Sequence, residues 1–260
     1  MLFFATLFAC FAIQDIGQDS KESSPTAESV IEKFIAAKGG ESSLRKIKNV
    51  SIKGSVFSND EKVGAFEIYQ AANRHLSINR FPDGSSLRHG TDGKLAWEID
   101  VKGKPTLLEG QRARDYIRHY ETLHESLEWS KQFNAILYAG KKTVQDTASH
   151  HLIFVAPDNR QINRYFSIES RLLIREEQVE GAGEDTQILV SEIGDYVRDE
   201  SGTTVSRRRL NHFGAAYSIE YRIESVESNT LKDDSLIQGS RHCYRTRREP
   251  GFAMIGKPRR

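Results

Sequence analysis

Residues 49–100 alternate apolar and polar side chains over several short stretches, and this alternation constrains the fold more than any other feature of the chain. Ile52 and Val56 share one side of an extended backbone, as do Phe66 and Ile68 further along. A period of two residues is typical of a strand with one buried face and one face in water. The segment therefore predicts an antiparallel sheet whose apolar face must be covered by other parts of the chain.

Residues that favour tight turns separate these stretches: Asn59-Asp60, Asn73, Pro82-Asp83-Gly84 and Asp92-Gly93. They supply the positive or fixed φ at which a chain reverses, so successive strands are predicted to form hairpins. Strand periodicity resumes at Ala135 and continues to about Glu227. The total is about ten strands, which is many for a flat open sheet and favours a curled or partly closed one.

Two helical segments precede the sheet. The first is predicted between Ser24-Pro25, a capping residue followed by a proline suited to the first helical position, and Gly39-Gly40, which ends the helix. Its apolar residues recur at helical spacing and predict a core-facing stripe: Val30, Ile31, Phe34 and Ile35. A short second helix is predicted through Leu44 and Ile47.

Between residues 107 and 133 the apolar period changes from that of a strand to that of a helix. The stripe consists of Tyr116, Ile117, Tyr120, Leu123 and Leu127. One amphipathic helix or two broken helices would satisfy the pattern. Tyr116, Ile117, Tyr120 and Leu123 are candidates for the inner face of a movable lid, and a static helix packed on the sheet is the alternative.

The N-terminus has the pattern of an export signal. Residues 2–13 form an apolar run of the length of a signal-peptide core, and a polar linker, residues 14–24, follows it. No Lys or Arg precedes the run, and a buried first strand or helix is the alternative. Within it, Leu7-Phe8-Ala9-Cys10 resembles the lipobox at which bacterial lipoproteins are acylated, which makes Cys10 a candidate lipid anchor. Since the chain has only two cysteines, no disulfide framework is predicted.

The C-terminal residues 239–260 are basic and lack any strand or helix period. They are predicted to be a disordered tail. The alternative is that their clustered arginines contact anionic lipid head groups.

Charge and motifs exclude several classes of function. The 260 residues carry a formal charge of +1, so a nucleic-acid partner for the whole chain is not expected, and no apolar run approaches the ~20 residues that span a bilayer. No nucleophile elbow, phosphate loop or zinc-binding helix motif is found. Glu98 and Asp100 have the spacing of a solvated pair near a turn, and His150-His151 cannot both face inward from one strand. No catalytic residue, metal site or cofactor is therefore predicted, and the protein is interpreted as a non-enzyme.

The order of these elements resembles the outer-membrane lipoprotein-sorting (LolA/LolB-like) superfamily. The pieces that carry the resemblance are a helix before Gly39-Gly40, Leu44-Arg45-Lys46-Ile47-Lys48-Asn49-Val50, Gly64-Ala65-Phe66-Glu67-Ile68-Tyr69 and Asp92-Gly93-Lys94-Leu95-Ala96-Trp97-Glu98. Tyr165-Phe166-Ser167-Ile168-Glu169 and Ser191-Glu192-Ile193-Gly194-Asp195-Tyr196 extend it more weakly. The resemblance covers about residues 27–238, and the domain is predicted at residues 25–238.

The resemblance implies a mainly β fold with α-helices, a half-open antiparallel β-barrel whose mouth is covered by helices that enclose an apolar cavity. In the carriers of this superfamily such a cavity holds acyl chains. The residues that docking and acyl gating require in those carriers cannot be matched here one by one. The resemblance thus predicts the fold more firmly than the cargo.

An acyl-binding cavity requires apolar side chains on a concave face with few unpaired polar groups. The candidate lining residues are Phe66, Ile68, Leu76, Ile78, Leu95, Trp97, Tyr116, Ile117, Tyr120 and Leu123. The first hypothesis is an envelope protein, periplasmic or lipid-anchored, that binds a lipid or the acyl chains of a lipoprotein as a carrier or sensor. The second is a structural module with a filled interior that docks an envelope protein partner.

Overall fold

The computed structural model describes residues 25–120, 123–180, 187–215 and 217–231. The predicted export signal with Cys10, the linker and the basic tail lie outside the described residues, so they stay predictions. No helix within the described ranges is long and apolar enough to cross a membrane.

Helix α1 (Ala27–Ala37) is capped by Thr26, whose side chain accepts a hydrogen bond from the Ser29 N–H at 3.2 Å. The predicted capping residue, Ser24, is wrong by two positions. Thr26 caps the helix instead, because its hydroxyl is placed to accept a hydrogen bond from the free N–H of Ser29 in the first turn. The predicted end is confirmed, since Gly39 and Gly40 follow with φ of +115° and +84°. The second helix, α2 (Glu41–Lys46), begins directly after them.

The described residues contain thirteen strands, which form two meanders. The first contains β1 (Asn49–Ser58), β2 (Glu61–Ala71), β3 (Arg74–Arg80), β4 (Ser86–Thr91), β5 (Ala96–Ile99) and β6 (Pro105–Leu107). The second contains β7 (Ala135–Val144), β8 (Thr147–Val155), β9 (Gln161–Ser167), β10 (Leu173–Glu180), β11 (Gln187–Arg198), β12 (Thr204–Phe213) and β13 (Tyr217–Ser228). The sequence predicted about ten strands, because strands of three and four residues such as β6 and β5 are too short to show a period.

All thirteen strands belong to one curled antiparallel sheet. Its order is β6-β5-β4-β3-β2-β1-β13-β12-β11-β10-β9-β8-β7, so β6 and β7 are the two edges. The meanders meet where β1 pairs with β13, with Ile52 opposite Val226. The predicted class, a mainly β protein with a curled antiparallel sheet and covering helices, is confirmed.

The segment between the meanders contains α3 (Gly110–His119), a 3-10 turn (Glu125–Leu127) and α4 (Trp129–Gln132). The structure thus has broken helices here rather than one continuous helix. The break lets the chain cross from β5 in the first meander, which α3 contacts, to Phe154 in the second, against which the ring of Phe133 packs at 5.0 Å.

The register defines two faces of the sheet. We call the face on which the helices pack the inner face. His75 of β3 lies on it under Tyr120, the residue that caps the end of α3, and Phe166 of β9 lies on it against Phe34 of α1. Paired residues share a face, so Gln70, opposite His75, is also an inner-face residue. The predicted helical cover is confirmed for the inner face, with α1 and α3 as the covering elements. The predicted wet opposite face is wrong for part of the first meander, where both His75 and its neighbour Leu76 are buried.

The opposite face carries a small apolar cluster of its own in the first meander. Leu76, Ile78 and Trp97 are buried there and contact Tyr69, Ile99 and Leu107. Trp97 is only 1% exposed and lies opposite Gly90 in the register. A Cβ atom at Gly90 would lie 2.6 Å from indole Cε2, so only glycine leaves room for this ring.

Replacing Gly90 by alanine is expected to destabilise the fold by about 1–3 kcal/mol, because the added methyl group overpacks the indole ring. The measurement is the free energy of unfolding in urea. Gly194→Ala is the matched control, since a Cβ atom at Gly194 of β11 meets nothing within 4 Å. Equal stabilities of the two variants would contradict the packing described for Trp97.

Candidate ligand-binding cavity

A cavity of about 790 Å³ lies between the inner face and the helices. Its volume falls within the range of roughly 300–1,000 Å³ found for small-molecule sites. Helices α1, α2, α3 and α4 and both meanders contribute to its wall. The apolar lining residues are Ile31, Phe34, Leu44, Ile47, Val50, Leu123, Trp129, Phe133, Phe154, Ala156, Ile162, Phe166, Leu173, Val179, Val205 and Val226.

Helix α1 is held against the second meander by its apolar stripe. Val30 and Ile31 are buried with Leu152 and Phe166, and the rings of Phe34 and Phe166 meet edge to face at 5.1 Å. The period of 3.6 residues sends Ile31 and Phe34 to the same side as the cavity. The predicted core-facing stripe therefore serves two purposes, packing α1 on the sheet and lining the cavity.

Helix α3 covers the first meander through aromatic contacts. Tyr120 stacks on His75 with ring centroids 3.5 Å apart, and Tyr116 lies at an angle to His75 at 6.1 Å. Neither ring nitrogen of the buried His75 has a hydrogen-bond partner among the described residues. Burial, with added repulsion from His119 and His89, lowers the pKa of His75 to about 3, so this imidazole is neutral.

The same helix reaches the second meander through charges. Arg118 pairs with Asp115 at 2.9 Å and approaches Asp158 of the β8–β9 turn at 3.8 Å. Arg160 of that turn pairs with Asp115 at 3.2 Å and with Asp158 at 2.6 Å. Two arginines and two aspartates thus tie α3 to the far side of the cavity mouth.

An ionic network crosses the cavity wall from β9 to β12. Arg164 donates to Glu125 at 2.5 Å and to Glu176 at 2.7 Å, and Arg209 donates to Glu176 at 3.3 Å and to Ser191 at 3.0 Å. The guanidinium of Arg164 also lies over the ring of Phe154 at 4.4 Å.

These partners decide the charge states in the network. Burial disfavours the charged form of Glu176, but Arg164 and Arg209 more than offset this and hold the pKa of Glu176 below its usual value. Burial likewise disfavours the charge of Arg164, which Glu125 and Glu176 stabilise, so its pKa is raised. Both Glu176 and Arg164 are therefore charged at neutral pH within this network of two arginines and two glutamates.

Three polar groups in the cavity wall lack a partner among the described residues. They are the hydroxyl of Tyr116, the Nε2 amide of Gln132 and the hydroxyl of Ser228. Gln132 is only 7% exposed. Since buried polar groups are normally hydrogen-bonded, these three are available to a bound ligand or to water.

The structure brings three of the ten predicted lining residues together in the cavity: Tyr116, Tyr120 and Leu123. Ile117 lines a separate, more open cavity of about 610 Å³ on another side of α3, with Arg114 and Pro157. Phe66 and Ile68 lie on the inner face of β2, where Phe66 packs against Tyr221 at 5.4 Å.

The remaining four predicted residues lie elsewhere. Leu76, Ile78 and Trp97 form the cluster on the opposite face. Leu95 is half-buried in the β4–β5 turn, where its N–H donates to Asp92 at 2.9 Å. Alternation shows which residues of one strand share a face, but the register between strands decides which face is the inner one.

The polar side chains for which the sequence predicted no catalytic or metal-binding role form hydrogen bonds within the fold. Glu98 accepts hydrogen bonds from His89 at 2.9 Å and Arg112 at 3.0 Å, and Asp100 accepts from the backbone N–H groups of its own turn. His150 hydrogen-bonds with Tyr138, and His151, on the other face, with Asn163. As predicted, the two histidines do not face the same side.

The charged wall residues were missed by the sequence analysis. Arg164 had a detectable signal, because it falls between Ile162 and Phe166 on the apolar side of β9. Glu176 and Arg209 had none, since the residues around them in β10 and β12 are mostly polar.

Comparisons with solved structures identify the fold. A DUF1329 family protein from Desulfovibrio piger superposes with a TM-score of 0.57 at 8% identity, covering 82% of this chain and 98% of that protein. A LolA superfamily protein from Nitrosomonas europaea gives a TM-score of 0.57 at 11% identity, with the same coverage of 82% and 98%. An outer membrane lipoprotein-sorting protein domain from Vibrio parahaemolyticus gives 0.56 at 7% identity, covering 81% and 95%. The fold is LolA-like, as the sequence resemblance implied.

Sequence comparisons add no family assignment. No protein-family model matches the chain, and no curated protein matches it. At identities of 7–11% the solved structures establish the fold alone.

Replacing Glu176 by glutamine is expected to destabilise the protein by about 3 kcal/mol at pH 7, because Arg164 and Arg209 lose a shared buried anion. The folded-state pKa of Glu176 lies below its ordinary 4.5, so its contribution is present above that pH and is lost as pH falls through the folded value. The stability difference between the variant and the natural protein should therefore shrink below pH 4.5.

Urea unfolding between pH 3 and pH 7 measures this difference, with Glu32→Gln on the exposed side of α1 as the control. A gap that stays constant across the whole range would refute the charge state assigned to Glu176.

Proposed function

We propose that this protein is exported to the cell envelope, where it binds a lipid or the acyl chains of a lipoprotein as a non-enzymatic carrier or sensor. The observation that carries the proposal is the cavity of about 790 Å³ with its apolar lining from α1, α2 and both meanders. Burying apolar surface contributes roughly 25 cal/mol per Å², so a long hydrocarbon chain in such a space would bind well without specific polar contacts.

The mixed lining supports an amphiphile rather than a bare hydrocarbon. Phe34, Ile47 and Val226 offer apolar surface in this wall. Arg209 and the amide of Gln132, which has no partner in the described part of the chain, offer polar contacts. An amphiphile would place its chain against the first group and its polar atoms near the second. A purely apolar ligand would leave the polar groups unsatisfied.

Helix α3 is the proposed cover of the binding site. Tyr116 and Tyr120 face the cavity, and the helix is fixed at its far side by ionic contacts at the surface with Asp158 and Arg160. Solvent reaches these side chains, which are 27–48% exposed. Ion pairs that are open to solvent contribute about 0–1 kcal/mol each, so they would not prevent movement of the helix. A cover that opens would admit ligand, in keeping with the predicted lid.

The alternative of a docking module with a filled interior is less well supported. It requires the inner-face side chains to pack directly against the helices, whereas a ligand-sized space lies between them. Lipids and acyl chains are therefore the first proposed partners in the envelope, and a protein is the second.

Protein purified from an envelope fraction under native conditions is expected to carry lipid. Native mass spectrometry would detect the bound mass, and extraction with organic solvent would identify it. If the protein carries no lipid and also fails to bind a fluorescent fatty acid that other lipids can displace, the proposal is wrong.

Filling the cavity should block binding. Val226→Trp places an indole on the inner face of β13, and we expect the affinity for a fluorescent fatty acid to fall at least about tenfold, because the chain loses contact area. Glu227→Trp is the matched control, since Glu227 is exposed and lies on the other side of the same strand. Equal affinities of the two variants would argue against this cavity as the binding site.

Lipid anchoring at Cys10 is part of the proposed location in the envelope. Intact-mass analysis of protein from membranes should show a diacylglyceryl group on an N-terminal Cys10. A mature chain that begins at Phe11 or later and carries no lipid would instead indicate a free periplasmic protein.

A further inference from the structure

The charged residues of the cavity wall pair among themselves with one exception. Eight of the cavity-lining residues in the described ranges carry a formal charge, and seven of these form ion pairs within 4.0 Å: Asp115, Arg118, Glu125, Arg160, Arg164, Glu176 and Arg209. Together with Asp158 they form two groups, each with two positive and two negative side chains. The eighth residue, Lys38, forms no ion pair within that distance among the described residues.

Lys38 continues the apolar stripe of α1 into the cavity. Ile31, Phe34 and Lys38 are spaced by three and four residues, so they share one side of the helix, and all three line the cavity. Thr203 and Val205 of the β11–β12 region line the cavity as well. An ammonium group on an otherwise apolar stripe is costly unless an anion compensates it.

The backbone fixes the place from which Lys38 extends. The carbonyl of Lys38 accepts a hydrogen bond from the Thr204 N–H at 3.0 Å, and a Cβ atom at Gly39 would lie 2.7 Å from the carbonyl oxygen of Gly202. The end of α1 is therefore held tightly on the β11–β12 turn. A cation presented from a rigid position is suited to recognise a ligand atom.

Asp199, the acidic residue whose charge acts on Lys38, already accepts hydrogen bonds from its own turn. Burial lowers the pKa of the Lys38 ammonium, and the charge of Asp199 raises it only in part. The carboxylate of Asp199 accepts hydrogen bonds from the Thr203 N–H at 2.9 Å, from the Thr203 hydroxyl at 3.0 Å and from Ser201 at 2.6 Å. Asp199 orders its own turn, and within the described ranges no other anion is bonded to Lys38 on its cavity side.

We infer that Lys38 is the anchor for the anionic head group of a single-chain amphiphile, a carboxylate or a phosphate, whose hydrocarbon chain lies along Ile31, Phe34 and Val226. The inference rests on the proposed function and narrows its ligand class to negatively charged lipids. A charge-assisted hydrogen bond to the ammonium would both orient the ligand and compensate a cation that has no ion pair among the described residues.

A structural role for Lys38 makes a different prediction. A cation at the C-terminal end of α1 is favoured by the helix dipole, typically by about 0.3–1 kcal/mol. Such a role would change thermal stability but would not distinguish an acid from an alcohol of equal chain length. The test is therefore the ratio of two affinities rather than one affinity.

The experiment measures displacement of a neutral fluorescent probe from the delipidated full-length protein by oleate, oleyl phosphate and oleyl alcohol. The natural protein should bind at least one of the two anions about tenfold more tightly than the alcohol, the gain expected for a hydrogen bond to a charged group. Lys38→Met should abolish this preference and leave alcohol binding nearly unchanged, whereas Lys38→Arg should keep it. Lys33→Met, on the exposed side of the same helix, is the control and should behave as the natural protein does.

The outcomes test the role of Lys38 and the cavity as a lipid site separately. The anion that gains most identifies the head group as carboxylate or phosphate. Alcohol binding without any preference for the anions, or a preference that survives in Lys38→Met, would overturn the role of Lys38 and leave the lipid cavity standing. Failure of all three ligands to displace the probe would overturn both the cavity as a lipid site and the anchor within it.

Discussion

The pairing of β1 with β13 is the contact on which the rest of the structure depends. It joins two meanders that would otherwise be separate sheets, each with an additional unpaired edge. Ser55 and Glu224 hydrogen-bond across this seam at 2.5 Å although they are 169 residues apart. The cavity wall continues across it, since Val50 lies on one side and Val226 on the other. A break in this pairing would remove the continuous inner face that the helices cover.

The interior behind that seam differs from an ordinary hydrophobic core. An ordinary core contains few charged side chains, whereas this wall contains Arg164, Glu176 and Arg209. The guanidinium of Arg164 lies over the ring of Phe154. Mutual pairing makes these charges tolerable, but it contributes little net stability compared with well-packed apolar side chains. Their retention in the wall is easier to understand if the cavity receives molecules with polar as well as apolar parts.

Much of the fold could be predicted from the sequence because its strands and helices leave strong local periods. The alternating strands of residues 49–100, the stripe of α1 and the turns at Asn59-Asp60 and Asp92-Gly93 all depend on neighbours within a few positions. The cavity was predicted less well. Tyr116, Tyr120 and Leu123 line it, but Leu76, Ile78 and Trp97 pack on the opposite face, and Arg164 and Lys38 were missed.

The sequence by itself determined most of the helices and longer strands, the antiparallel hairpins and the need for a helical cover, since these follow from residue spacing and from turn chemistry. Only the tertiary structure decided which face of each strand points inward, how the charges of the wall pair, and that Lys38 stands without an ion pair among the described residues. The physical reason is that register and curvature arise from contacts between strands far apart in the chain. A strand's own alternation is identical for either face, so the direction of its side chains is fixed only when the two meanders join.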